Sequence, residues 1–302
     1  NFRKAGMRDT DNVAVFNAEF DGFVENYSST DPKRRLPNFV VMSLGEDHTQ
    51  GTRVGAPTPV AAVANNDWAV GQFVDRVSHS PYWKETAIFI IEDDAQNGSD
   101  HVDARRTIGL VLSPYSRRGV VDSTLYTTSS MLRSMELLLG LPPMTQFDAA
   151  AAPMYAAFEG GLDLTPFSHL APQVDVNARN VKGAPGSAES ALMDFSDYDL
   201  TPMLALNEIL WKSVKGEGVP MPLPIRSEMR LSDATDHSRV ENSPPPCMSI
   251  RSSALPPPRA TQVSGSSATW TCRPVLSEIS LSKSVSSAPP PVSTMPEDNT
   301  SS

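Results

Sequence analysis

TAIFIIEDDAQNGSDHVD, residues 86–103, decides how this chain reads: an unbroken apolar run ends in acidic residues, and Asp100 and His101 follow closely. Ala87 through Ile91 are β-branched, aromatic or small and do not alternate with polar residues, as expected of a strand covered on both faces. In open α/β sheets ligands collect beyond the carboxyl ends of the strands, where Glu92, Asp93 and Asp94 would lie. Adjacent carboxylates repel and resist burial, so a positive partner is expected, most simply a divalent cation. The glycine-containing turn Ala95 to Ser99 would fold Asp100 and His101 back toward the same point and supply an imidazole.

A second apolar run, Asn38 to Leu44, precedes a polar loop that holds Asp47 and His48. Thr58-Pro59 is a helix-start signal, and Val60, Val63, Val70, Phe73, Val74 and Val77 keep helical spacing to about Ser78. Together with the strand from Thr86 this predicts a right-handed β-α-β unit with parallel strands. Ile108 to Leu112 reads as a further strand. The Thr127–Ser130 cluster caps a helix through Leu139 that stops at Gly140 and Pro142, and a last helix runs from Thr201-Pro202 to Lys215-Gly216. Residues 143–179 read as loop-rich. The fold class expected is α/β, a partial sheet with helices on both faces.

The 302 residues divide by composition. Residues 1–230 carry the folded pattern, whereas 231–302 hold 11 of the 27 prolines among many serines. Such a tail buries too little apolar surface to offset ordering, so it is expected to be disordered. The formal net charge of −10 argues against a nucleic-acid partner, because phosphate backbones attract Lys and Arg. No stretch approaches the roughly 20 apolar residues of a membrane span, and the amino terminus shows no signal peptide. Cys247 and Cys272 both lie in the tail, so no disulfide framework is expected in the folded part.

The candidate site therefore comprises Asp47 and His48 after one apolar run, Asp93 and Asp94 after the next, and Asp100 and His101 in the loop that follows. An acidic pair by itself also fits a solvated strand end, and a lone histidine a structural role. The joint placement of two histidine-bearing loops favours a metal centre. A mixed oxygen and nitrogen set suits zinc, manganese or iron, and calcium is the alternative for a more oxygen-rich shell. Two ions about 3.5–4 Å apart would clamp the attacking and leaving oxygens of a displacement at phosphorus. The EF-hand pattern fails, since its third and twelfth positions fall on Ala95 and Ala104. Arg105 and Arg106 are expected to pair with neighbouring acids at least as readily as with an anionic substrate.

Asp93-Asp94, five residues, then Asp100-His101-Val102 resembles the metal motif of bacterial phosphoesterases related to phospholipase C and acid phosphatase, in the alkaline phosphatase superfamily. LPNFVVMSL, SHSPYWKETAIFIIEDDAQNGSDHVDARRT, LVLSPYSRRG and YTTSSMLRSMELLLGLPP extend the likeness from about Val15 to Arg230, to the carboxyl half of a domain often fused to a YncE-type propeller. The resemblance implies that Asp93 and Asp94 bind one metal. His48 and His101 then bind a second metal or the substrate phosphate, with Asp47 as a further ligand and a small phosphate ester as substrate. It also implies a periplasmic or secreted location. The family nucleophile, a Ser or Thr near the start of the domain, would lie upstream, so the chain is expected to be a fragment that lacks it. The alternative function is a non-catalytic, metal- or partner-binding remnant; a sulfatase or phosphonate hydrolase on the same fold is a third. Family members read Pro-Asn-Asp-His-Thr where this chain has Gly45-Glu46-Asp47-His48-Thr49. The added carboxylate is expected to alter the local charge.

Overall fold

Val13, Phe16 and Phe20 recur at helical spacing and form the buried stripe of a first helix, α1 (Asp9–Glu25), which the sequence reading did not assign. The computed structural model describes residues 8–226 apart from 94, 96–97, 101 and 197–199. Within them α1 packs along α2 (Pro59–Ser78), which starts as expected: Pro59 takes the first position and the Thr58 hydroxyl accepts from the Ala61 N–H at 3.2 Å. Phe16 and Phe20 meet Val74, Val77, Tyr82, Trp83 and Ile88 in the main core. Phe16 and Phe20 stack at 5.5 Å, and Tyr27 meets Tyr82 edge-on at 4.8 Å. The Tyr82 hydroxyl donates to the Phe23 carbonyl at 3.0 Å and so satisfies its polar end.

The strand over Thr86–Ile91 is shorter than expected, β1 (Ile88–Ile91), and the third predicted strand is β2 (Gly109–Leu112). The mixed α/β class holds, but the parallel β-α-β unit does not. β1 and β2 form a two-stranded antiparallel sheet, with Ile88 opposite Leu112 and Ile91 opposite Gly109. Residues 38–44 form no strand among those described. No strand among the described residues pairs with them, and Phe39, Val40 and Val41 are 55%, 47% and 74% exposed. An apolar run reports a preference for burial, and only a neighbouring strand turns it into a sheet. The antiparallel pairing makes residues 92–108 one long connection across the end of the sheet.

α3 (Thr128–Leu139) carries the predicted cap as a reciprocal Thr127/Ser130 box, and Gly140 closes it in the left-handed region at φ 68°. The loop-rich reading of 143–179 omits a short helix, α4 (Gln146–Ala150), capped by Thr145 and Asp148. α5 (Ser187–Leu192) and α6 (Met203–Lys215) follow, and Leu206 and Ile209 of α6 form a second cluster with Met193. No helix among the described residues is long and apolar enough to cross a membrane. The expected tail, 231–302, lies outside the described residues.

Candidate functional site

Asp47 and His48 sit on a single 3-10 turn, Glu46–His48, whose sequence offers little intrinsic preference for that shape. Tertiary contacts impose it. The Asp9 carboxylate, buried at the start of α1, accepts the Glu46 N–H at 2.8 Å and the Gly45 N–H at 3.3 Å. In return the Glu46 carboxylate accepts the Asp9 N–H at 3.1 Å and pairs with the Arg8 guanidinium. The added charge of Glu46 is thus absorbed structurally. Burial pushes its carboxyl upward, while the Asp9 N–H and Arg8 oppose that push.

Asn66, on α2, donates to Asp9 at 3.0 Å and to Asp47 at 3.5 Å, bridging the two carboxylates. Burial raises the Asp47 carboxyl above its ordinary value, and the charges of Asp9 and then Glu92 add to the effect. Glu92 lies just past β1. The turn bearing Asp47 and the start of the acidic strand end at Glu92 therefore lie within electrostatic reach of each other.

Directly after His48, Thr49 has φ 63° and ψ −179°, and it is the non-glycine residue with positive φ among those described. That region is almost exclusive to glycine, at a cost of about 1–3 kcal/mol for a β-branched residue. The strain persists because the neighbours over-determine it. The Thr49 N–H bonds Glu46 O at 3.0 Å, its hydroxyl accepts the Gly51 N–H at 3.1 Å, and Thr52 is anchored to the buried Ser190 hydroxyl at 3.0 Å. His48 itself is exposed, its Nδ1 3.4 Å from Thr49 O.

On the other side, Asp93 is exposed at the end of β1, and Glu92 accepts from the Thr107 hydroxyl. Asp94 and His101 lie outside the described residues. Asp100 shapes the loop: its carboxylate accepts the Val102 N–H at 2.6 Å, the Asp103 N–H at 3.1 Å and Arg106 Nε at 2.8 Å. The Arg106 contact is the main reason its carboxyl lies below the ordinary value. Arg105 pairs with Asp103 at 2.7 Å, so both arginines are engaged by acids, as expected. Ile225, beyond α6, pins the loop, its N–H donating to Asp100 O at 3.2 Å and its O accepting the Ala104 N–H at 2.8 Å.

Among the described residues no three His, Cys, Asp or Glu side chains converge on a point that would hold a metal ion. The acid-rich neighbourhood of Asp47 nonetheless has the chemistry that a divalent cation relieves: hard oxygen donors, with the charges of Asp9 and Glu92 adding to the upward push of burial on the Asp47 carboxyl. The sequence reading missed Asp9, Asn66 and Thr49. Asn65-Asn66-Asp67 in the middle of a helix was a visible signal, because such residues are poor helix formers and need a reason to be there. It also missed the acid partner of His169: Asp75 meets His169 Nδ1 at 2.7 Å across the fold, and His79 Nδ1, one helical turn away, at 3.0 Å.

Residues 32–142 match the Phosphoesterase family. The match covers 111 of the 302 residues and supports a phosphoesterase-family domain there. It contains the Asp47–His48 turn, β1 and the acidic loop, and ends just beyond α3; α1 with Asp9 and everything from α4 onward lie outside it. No curated protein and no solved structure matches the chain.

Proposed function

We propose that this chain carries part of the centre of a metal-dependent phosphoesterase of the alkaline phosphatase superfamily, in which Asp47, His48, Asp93, Asp94 and His101 surround the scissile phosphate. The observation that carries the reading lies inside the family match: the strained, externally clamped Asp47–His48 turn is held within electrostatic reach of the acidic end of β1. Asp93 and Asp94 hold one divalent cation, with Asp47 as a further oxygen ligand. His48 and His101 contact the phosphate or a second ion. Such a cation, zinc, manganese, iron or calcium, supplies charge neutralisation at the phosphoryl oxygens. The chain's own residues do the positioning: Asp9 and Asn66 fix the turn, and Asp100 with Arg106 shapes the loop that leads to His101.

Metal content of the purified protein and of Asp93→Ala and His101→Ala tests this, alongside hydrolysis of p-nitrophenyl phosphate with and without a chelator. Both variants are expected to lose metal, and with it any turnover that the wild-type protein shows. Unchanged metal content in both would sink the reading. Metal binding without turnover would instead identify a non-catalytic, metal-binding remnant, and preferential cleavage of sulfate esters a sulfatase.

A further inference from the structure

A cleft of about 260 Å³ opens between α6 and the backbone of Gly98 and Ser99, in the same loop that continues into Asp100. One face of α6 forms its wall, because Asn207, Trp211, Val214 and Lys215 recur at helical spacing, while Leu206 and Ile209 turn inward to the core. Met221 closes the far side, four residues before Ile225, which bonds the acidic loop. The cleft and the candidate catalytic loop are thus held by the same segment.

The wall is built rather than incidental. The Trp211 indole Nε1–H donates to Val219 O at 2.9 Å, which fixes the ring. The Lys215 ammonium sits 5.8 Å from the ring centroid. The loop backbone lies directly against the helix: a Cβ added at Gly98 would meet the Asn207 amide nitrogen at 3.5 Å. Apolar walls, one fixed aromatic ring and one cation select a ligand that is itself aromatic and anionic. The volume falls below that of a typical drug-sized site of about 300–1,000 Å³ and admits one or two fused rings.

We propose that this cleft receives the aryl group of an aromatic phosphate monoester, with its phosphate directed toward Lys215 and the acidic loop. The inference rests on the phosphoesterase reading and adds to it the substrate class. Binding of 2-naphthyl phosphate and of inorganic phosphate by isothermal titration calorimetry tests it, on the full chain with and without added zinc. The ratio of the two affinities is expected to fall about tenfold in Trp211→Ala, the scale of a lost aromatic stacking partner. Val214 is 58% exposed, so Val214→Trp fills the cleft without touching the core and is expected to lower the ratio similarly. Wild-type protein that shows no preference for the naphthyl ester, or variants that keep the wild-type ratio, would overturn the proposal. Hydrolysis of methyl phosphate separates the two readings. If it is metal-dependent but naphthyl binding is absent, the cleft assignment alone fails; if naphthyl binding is lost in the variants but no ester is hydrolysed, the cleft stands and the phosphoesterase reading fails.

Discussion

The two halves of the candidate site are held by opposite means. The Asp47–His48 turn is clamped by residues distant in sequence: Asp9 and Arg8 from the start of α1 and Asn66 from α2, while Ser190 from α5 anchors Thr52 just after it. The loop after β1 is shaped mostly by its own neighbours, through the bonds of Asp100 with Val102, Asp103 and Arg106, with Ile225 as the remote tether. Long-range clamping allows the first half to store backbone strain at Thr49. Local pairing leaves Asp93 exposed to solvent. One half of the site is therefore preorganised by the fold, and the other is organised by its own sequence.

The largest test of this contrast is Asp9→Ala. It strips the acceptor from half-buried N–H groups of the turn and from Asn66, and is expected to cost about 3 kcal/mol in urea denaturation, the upper scale for losing hydrogen bonds to a charged group. A loss below about 1 kcal/mol would mean that α1 does not hold the turn. Next, Thr49→Gly should be more stable than Thr49→Ala by about 1 kcal/mol, because both lose the hydroxyl and only glycine accepts the backbone without strain. Equal stabilities would show that no strain is stored there.

On the locally held side the expected effect is smaller. Of two truncations of the 302-residue chain, after Pro224 and after Arg226, only the first removes the Ile225 bonds, and relative to the second it should speed hydrogen exchange at the Ala104 amide by about fivefold, while the turn amides of Gly45 and Glu46 stay unchanged. Faster exchange at both places would show that the two halves open together.

The smallest effect concerns pH, and its sign differs between the halves. In the metal-free protein the folded pKa of Asp47 lies above its ordinary 3.8, so its contribution to stability declines as pH rises from 3.8 through the folded value. Asp100 has a folded pKa below 3.8, so its contribution is present above 3.8 and is lost as pH falls through that lower value. Denaturation curves across acid pH should show the Asp47→Asn variant with a smaller decline, the part due to the raised Glu46 carboxyl remaining, and Arg106→Ala with a weaker loss at low pH. Identical profiles for wild type and both variants would remove the electrostatic part of the contrast.

The helices were legible wherever a cap and an apolar stripe coincided, as at Thr58-Pro59 and Thr127–Ser130. α1 carried an equally readable stripe in Val13, Phe16 and Phe20, although no hydroxyl or carboxylate side chain caps it. The sheet was legible only as strand segments. Which strand lies beside which, and in what direction, depends on the partner, and β1 found β2 rather than residues 38–44.

The sequence by itself determined the acidic strand end, the two histidine-bearing loops and the match over residues 32–142 to the Phosphoesterase family, because those signals are local runs and spacings. Only the tertiary structure decided that Asp9, Asn66 and the strained Thr49 fix Asp47 and His48, and that α6 walls a cleft against the acidic loop. Contacts between residues separated by tens to more than a hundred positions leave no local pattern, since the chain must fold before such groups meet.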